Sequence, residues 1–293
     1  MQKYLAGRLR VDRVHLKISG LPEGLSHTRL VQLSDFHYDG WRLSDRLLQE
    51  TIDRSNALEP DLVLLTGDYI TDDPRPIFQL AKYLKALQSK YGVYAVLGNH
   101  DLYWRGAQEM ITFALTTAGI RVLWNEVVYP LGEGLAVVGL ADFWSPEFQP
   151  ELVFAQVAPD VPRLVLSHNP DSAAVLRAWR VDLQLSGHTH GGQVVLPKIG
   201  PVVAKILQWR KTWFPAWDAR CEQVVEHWEW AEGLHYVGSN RLYTNRGLGT
   251  YLPGRLGCPP ELTLFTLEPT PHKPAMPVRL DQPELPQPQH CYL

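Results

Sequence analysis

Five of the chain's eleven histidines, His37, His100, His168, His188 and His190, fall in short polar turns that follow apolar runs. Asp35, Asp68 and Asn99 share those turns, which read Asp35-Phe36-His37, Gly67-Asp68, Gly98-Asn99-His100-Asp101, Ser167-His168 and Gly187-His188-Thr189-His190. Imidazole nitrogens mixed with carboxylate and amide oxygens, with no thiolate among them, suit Mn²⁺, Fe or Zn²⁺ better than a structural Cys-type zinc site. The set is too large for one ion. It suits two ions about 3.5–4 Å apart that share a bridging carboxylate. The two-residue spacing of Asp35 and His37, repeated by His188 and His190, puts both side chains on one side of a strand leaving a sheet. Flanking glycines let the backbone approach closely and turn tightly. One such histidine alone would read as a hydrogen-bonded structural residue; together they read as a ligand cage.

The elements that must carry these turns alternate. TRLVQLSD (28–35), PDLVLLTGD (60–68) and GVYAVLGNHD (92–101) read as buried strands with polar tips. Between and after them LSDRLLQETIDRSNAL (43–58), PIFQLAKYLKALQSK (76–90) and RGAQEMITFALTTAG (105–119) have apolar residues at helical spacing. Ser44 is expected to cap the first helix and Gly119 to stop the third. The second half is richer in strands: 135–142, 162–171, 181–190, 242–250 and 261–269, with a short helix over 171–179. Strand–helix alternation argues a layered α/β fold. In such sheets ligands bind at the carboxyl ends of the strands, so the polar tips are expected to meet on one rim.

The five blocks, in this order over residues 28–190, resemble the calcineurin-like metallophosphoesterase family. HTHGGQV, NRGLGT and GCPPELTLFTL extend the likeness to about residue 268. They are similar to the bacterial phosphodiesterase branch that includes UDP-2,3-diacylglucosamine pyrophosphatase-type lipid A enzymes. The resemblance implies a four-layer α/β/β/α sandwich of two mixed sheets flanked by helices. It implies one domain over 1–268, with 194–233 as a Trp-rich cap or insertion. It also implies two divalent ions, Mn²⁺ first, with Fe or Zn²⁺ as alternatives. Asp35, His37 and His190 would hold one ion, Asn99, His168 and His188 the other, and Asp68 would bridge them. His100 would act near the leaving oxygen, oriented by Asp101. The activity implied is hydrolysis of a phosphodiester or pyrophosphate, of a lipid-linked or UDP-sugar substrate. A general phosphodiesterase or nucleotide hydrolase is the alternative. A non-catalytic scaffold of the same fold is disfavoured by the intact ligand set. Many members of that branch carry an N-terminal anchor or export signal; the opening residues here do not resemble one, and export is not expected.

The remaining features bound the partners. The chain has 293 residues, 45% of them hydrophobic and 20% charged, with a formal charge of −3, which supplies no electrostatic case for nucleic-acid binding. Cys221, Cys258 and Cys291 have no metal or disulfide spacing. No apolar run has signal-peptide or membrane-spanning length. The expectation is a cytoplasmic protein, freely soluble or peripheral at the inner face of the membrane, without a protein partner. Five of the ten tryptophans lie between Trp209 and Trp230, near Lys198, Lys205, Arg210 and Lys211. That segment reads either as a cap packed on the core or as a lipid-facing lid in which Trp209 meets substrate. Arg246 could clamp a substrate phosphate or form a structural ion pair. Seven prolines in 269–293 mark a tail expected to be disordered.

Overall fold

The computed structural model describes residues 6–213 and 224–270. Two six-stranded sheets face each other. The first contains β1 (Arg10–Ser19), β2 (Arg29–Leu33), β3 (Leu62–Leu65), β4 (Val93–Ala95), β5 (Ile120–Val122) and β14 (Glu261–Thr270), in the order β1-β14-β2-β3-β4-β5. Its strands β2 to β5 are parallel, and β14 runs antiparallel to β2. The second contains β6 (Glu126–Val128), β7 (Ala136–Gly139), β8 (Arg163–Leu166), β9 (Leu183–Ser186), β12 (Gly233–Val237) and β13 (Asn240–Thr244), in the order β12-β13-β9-β8-β7-β6. There β7, β8, β9 and β13 are parallel. A small hairpin of β10 (Val195–Leu196) and β11 (Gly200–Pro201) stands apart.

The layering follows from alternation along the strands. Leu30, Leu62 and Leu64 point between the sheets and meet Val137, Leu164, Leu166, Leu183, Leu185 and Phe265. Their neighbours Val31, Leu33, Val63 and Leu65 point outward under helices α1 (Asp45–Ala57), α2 (Ile77–Leu84) and α3 (Ala107–Thr117). On the far side, Val138 and Val165 pack beneath α4 (Pro150–Phe154) and α5 (Ser172–Leu176). Strands buried on both faces are apolar at nearly every position, as parallel strands must be. The result is the expected α/β/β/α sandwich.

Several boundaries differ from the sequence reading. Ser44 does cap α1, accepting from the Leu47 amide at 3.3 Å. Helix α2 stops at Leu84, well short of 90, because Asn56 at the end of α1 draws the chain away. Its Nδ2 donates to the Ala86 carbonyl at 2.8 Å, and its Oδ1 accepts from the Gln88 amide at 2.8 Å. The expected strand 242–250 ends at Thr244, and 245–250 is a loop whose Gly249 amide donates to the Asp35 carbonyl at 2.7 Å. β1, not foreseen, adds an edge strand beside β14. β14 runs through Thr270, two residues past the expected domain end; the remaining tail lies outside the described residues.

One polar residue joins the sheets beneath the rim. Gln32 on β2 is buried, and its amide donates to Thr66 Oγ1 at 3.1 Å and, across the interface, to the Ser186 carbonyl at 2.9 Å. Thr66 and Ser186 stand two residues before Asp68 and His188. The amide therefore sets the height of three ligand turns relative to one another. Gln32→Leu removes two buried hydrogen bonds worth about 1 kcal/mol each. It should lower stability by roughly 2 kcal/mol, read from the urea midpoint at unchanged denaturant slope.

Candidate dinuclear metal centre

The turns that follow β2, β3, β4, β8 and β9 meet on one rim. The ligand residues sit in backbone conformations that L-residues rarely adopt: φ is +50° at Asp35, +43° at His37, +56° at Asp68, +71° at His188 and +51° at His190. Thus the shared direction of Asp35 and His37 is not strand pleating. The chain leaves β2 at Leu33, and both side chains are aimed by left-handed turns around buried Phe36, which stacks on Tyr69 at 5.6 Å. Such conformations cost of order 1–3 kcal/mol each and persist only where the surroundings over-determine them. Close packing supplies that here. A Cβ on Gly98 would lie 2.2 Å from Asp68 Oδ1, and one on Gly187 would lie 2.1 Å from Asp35 Oδ2.

Donor atoms converge in two groups about a shared carboxylate. Asp35, His37 and His190 form one; Asp68, His168 and His188 form the other. His190 Nε2 lies 3.0 Å from His37 Nε2, and His188 Nδ1 lies 3.3 Å from His168 Nε2. Asp68 Oδ2 sits between the groups, 3.4 Å from His37 Nε2 and 3.1 Å from His168 Nε2. Asp35 Oδ2 and Asn99 Oδ1 are buried with no hydrogen-bond partner among the described residues. Orphaned buried oxygens beside opposed imidazole nitrogens are the expected mark of a cation cage.

Every imidazole is steered by its outer nitrogen. His168 Nδ1 meets the Thr66 carbonyl at 2.6 Å, His190 Nδ1 the Gly249 carbonyl at 3.3 Å, and His100 Nδ1 the Thr71 carbonyl at 2.9 Å. His188 is reversed: its Nε2 meets the Val224 carbonyl at 2.7 Å, so Nδ1 faces inward. His37 Nδ1 has the Tyr251 hydroxyl at 2.9 Å and the Thr71 hydroxyl at 3.2 Å. A carbonyl can only accept, so the outer nitrogens facing carbonyls carry the hydrogen, and in each neutral ring the inner one presents a lone pair.

The electrostatics agree. Burial lowers His37 to about 4 and His188 to about 3, and it takes His190 well below the usual imidazole range. These rings are neutral at physiological pH, the form that ligates metals. Burial also pulls on His168, but the Asp68 charge overrides it and raises the ring to about 10. Burial likewise raises Asp35 to about 6, while Asp68, despite burial, is held well below the carboxylate range chiefly by His168. His168 and Asp68 thus hold a proton where a cation would replace it.

The family model for calcineurin-like phosphoesterases matches residues 28–192, all five blocks. The chain belongs to the calcineurin-like phosphoesterase family. Members are phosphoester hydrolases built around a dinuclear metal centre. Phosphodiesterase YaeI of Escherichia coli is 32% identical over 82% of this chain and 82% of its own. The metallophosphoesterase YkuE of Bacillus subtilis, of no assigned activity, is 32% identical over 87% and 84%. UDP-2,3-diacylglucosamine pyrophosphatase LpxG of Chlamydia trachomatis is 27% identical over 88% of each chain.

Within this phosphoesterase centre the sequence-derived residues separate. Asp35, His37, Asp68, His168, His188 and His190 come together, with a His100 ring nitrogen close to His37 and Asp68, while Asn99 stands beside His100 in the turn with its Oδ1 buried and unpartnered. Asp101 does not orient His100, contrary to the expectation. Its buried carboxylate accepts from the amides of Asp68 (2.8 Å), Tyr69 (2.9 Å) and Gly98 (2.9 Å), fixing the bridging turn, while the Thr71 carbonyl orients the His100 ring. Arg246 is committed elsewhere, to Asp12 at 2.6 Å, Glu261 at 2.9 Å and Glu232 at 3.3 Å. Of its two readings, this geometry is that of the structural ion pair. Trp209 lies on helix α6 (Val202–Trp213), 58% exposed, and the donor cluster is built without it.

Sequence reasoning missed Tyr251, Thr71 and Trp144, whose ring lies edge-on to His188 at 4.9 Å. It also missed Asp171, a buried carboxylate that accepts from the amides of Glu226 at 2.6 Å and His227 at 3.1 Å. Asp171 thereby holds the stretch whose Val224 carbonyl steers His188. Thr71 and Asp171 each stand three residues past a ligand, Asp68 and His168, whereas Trp144 and Tyr251 carry no local signal.

Two outcomes follow. Asp171→Ala should weaken retention of the second ion about 10–100-fold, the usual loss when the support behind a ligand is removed, measured by metal titration. Arg246→Ala strands the buried Glu261 charge, so it should cost roughly 3–5 kcal/mol in denaturant unfolding while the folded fraction keeps its kcat.

Proposed function

We propose that this chain hydrolyses a phosphodiester or pyrophosphate bond at two divalent cations, Mn²⁺ in preference to Fe or Zn²⁺. Asp35, His37 and His190 hold one, Asn99, His168 and His188 the other, and Asp68 lies between. The observation that carries the reading is the convergence of imidazole nitrogens on the buried Asp68 and Asp35 carboxylates. When bound, the cations supply Lewis acidity and a water acidified towards neutrality. The chain's own residues do the rest. Asp68 fixes the spacing of the two donor groups. His100, held through Nδ1 on the Thr71 carbonyl, would hand a proton to the departing oxygen from Nε2.

A lipid-linked substrate, of the kind named for LpxG, is the finer reading. It is supported by apolar side chains beside the ligand turns: Trp41, 75% exposed, follows His37; Trp104, 52% exposed, follows His100; and Leu252, 82% exposed, follows Tyr251. Aromatic and aliphatic groups at such a rim suit acyl chains and a membrane interface, with the protein peripheral to it. Among the described residues no helix is long and apolar enough to cross a membrane. The second reading, a general phosphodiesterase, is favoured by the name of the YaeI relative.

A substrate panel with Mn²⁺, comparing UDP-2,3-diacylglucosamine, cyclic nucleotides and bis(p-nitrophenyl) phosphate, separates the two. Lipid preference appears as a kcat/KM advantage for the first substrate that falls when Trp41 and Leu252 are replaced by serine. His100→Ala should slow turnover by about 10²–10⁴-fold with both ions retained, whereas Asp68→Ala should lose ions by elemental analysis. Unaltered turnover in His100→Ala removes its proposed role.

A further inference from the structure

The expected phosphate clamp, Arg246, is consumed by three carboxylates, yet guanidinium groups gather elsewhere. Beyond the first ligand turn lies a cavity of about 570 Å³ whose lining includes Arg8, Arg42, Ser44, Arg46, Glu50 and Arg54. That volume lies within the range of about 300–1,000 Å³ usual for small-molecule pockets. Four arginines face one glutamate, in a chain whose formal charge is −3. Arg54 is paired with Glu50 at 2.7 Å, and Arg42 with Asp39. Among the described residues, Arg8 and Arg46 have no ion pair, and both are exposed. The cavity also takes in the capped first turn of α1, whose dipole favours negative charge.

The cavity is linked to the metal centre. The Arg42 guanidinium stacks over the Tyr251 ring, 4.7 Å from its centroid, and the Tyr251 hydroxyl lies 2.9 Å from His37 Nδ1. The Arg42 carbonyl accepts from the Thr250 amide at 2.9 Å, joining the turn after His37 to the loop that carries Tyr251. One wall is therefore a single aromatic ring away from a proposed ligand.

We propose that this cavity binds a phosphate-class anion through Arg8 and Arg46, with Arg42 and Arg54 screening it. The anion is a phosphoryl group of the substrate other than the one attacked, or a phosphate headgroup of a lipid. A guanidinium meets two phosphate oxygens at once, which gives orientation as well as attraction. As a substrate subsite, the cavity suits the general phosphodiesterase reading, in which a diester carries a further phosphate away from the scissile bond. As a subsite of the hydrolase, this inference rests on the reading of the preceding section.

The test uses the Mn²⁺-loaded full chain and the double variant Arg8→Ala/Arg46→Ala, neither residue belonging to the metal centre. KM is measured for the dinucleotide ApA and for pApA, which differs only by a terminal phosphate. Wild type should favour pApA by about tenfold in KM, the worth of one good ionic contact. The double variant should erase that preference, with kcat and the hydrolysis of bis(p-nitrophenyl) phosphate unchanged. Calorimetric titration with inorganic phosphate, in both proteins, reports the cavity independently of turnover. A binding component absent from the variant supports the site even if neither dinucleotide is cleaved. Flotation with phosphatidylglycerol vesicles identifies the source. Vesicle binding lost in the variant assigns the cavity to a lipid headgroup; vesicle binding absent in both, with the pApA preference present, assigns it to the substrate. Equal KM values for ApA and pApA, with phosphate and vesicle binding identical in the two proteins, overturn it. Loss of all hydrolysis with the phosphate component intact would fault the hydrolase reading and leave the cavity standing.

Discussion

Asp68 is a carboxylate buried between two imidazoles, with Asp35 buried a short distance away. Placing anionic oxygens and lone-pair nitrogens together out of water is unfavourable unless positive charge joins them. That electrostatic demand organises the rest. It calls for cations, and cations call for neutral rings. Neutral rings in turn need outer partners that pin the hydrogen away from the centre. The structure supplies such a partner to each ring, mostly as backbone carbonyls, which cannot ionise.

Holding such a centre requires a frame that tolerates unfavourable backbone conformations. Parallel strands deliver it, since the carboxyl ends of β2, β3 and β4 lie side by side in one sheet and those of β8 and β9 in the other. Gln32 ties the two sheets just below the rim, and Asp101 gathers the amides of the bridging turn. Neither residue touches a substrate. Both convert packing energy in the sandwich into the placement of donors.

Much of this was legible from residue order alone. Apolar runs with polar tips foretold the parallel strands, and the recurrence of Asp, Asn and His at those tips foretold the cage. What stayed hidden was whatever depends on long-range return of the chain. Tyr251 and Val224 reach His37 and His188 from far along the sequence, and a carbonyl carries no sequence signature at all. Asp101 was misread because adjacency to His100 suggested a partnership, whereas the tight turn sends its carboxylate back to the amides of residues 68 and 69. Arg246 shows the converse: three acids scattered between residues 12 and 261 claim it, and no local pattern announces them.

The reversed ring of His188 has a broader meaning. Its carbonyl partner, Val224, stands just before Glu226 and His227, whose amides Asp171 holds, so a carboxylate outside the donor set reaches the centre through the backbone. A main-chain shift at Val224 would therefore turn one imidazole without altering any donor residue.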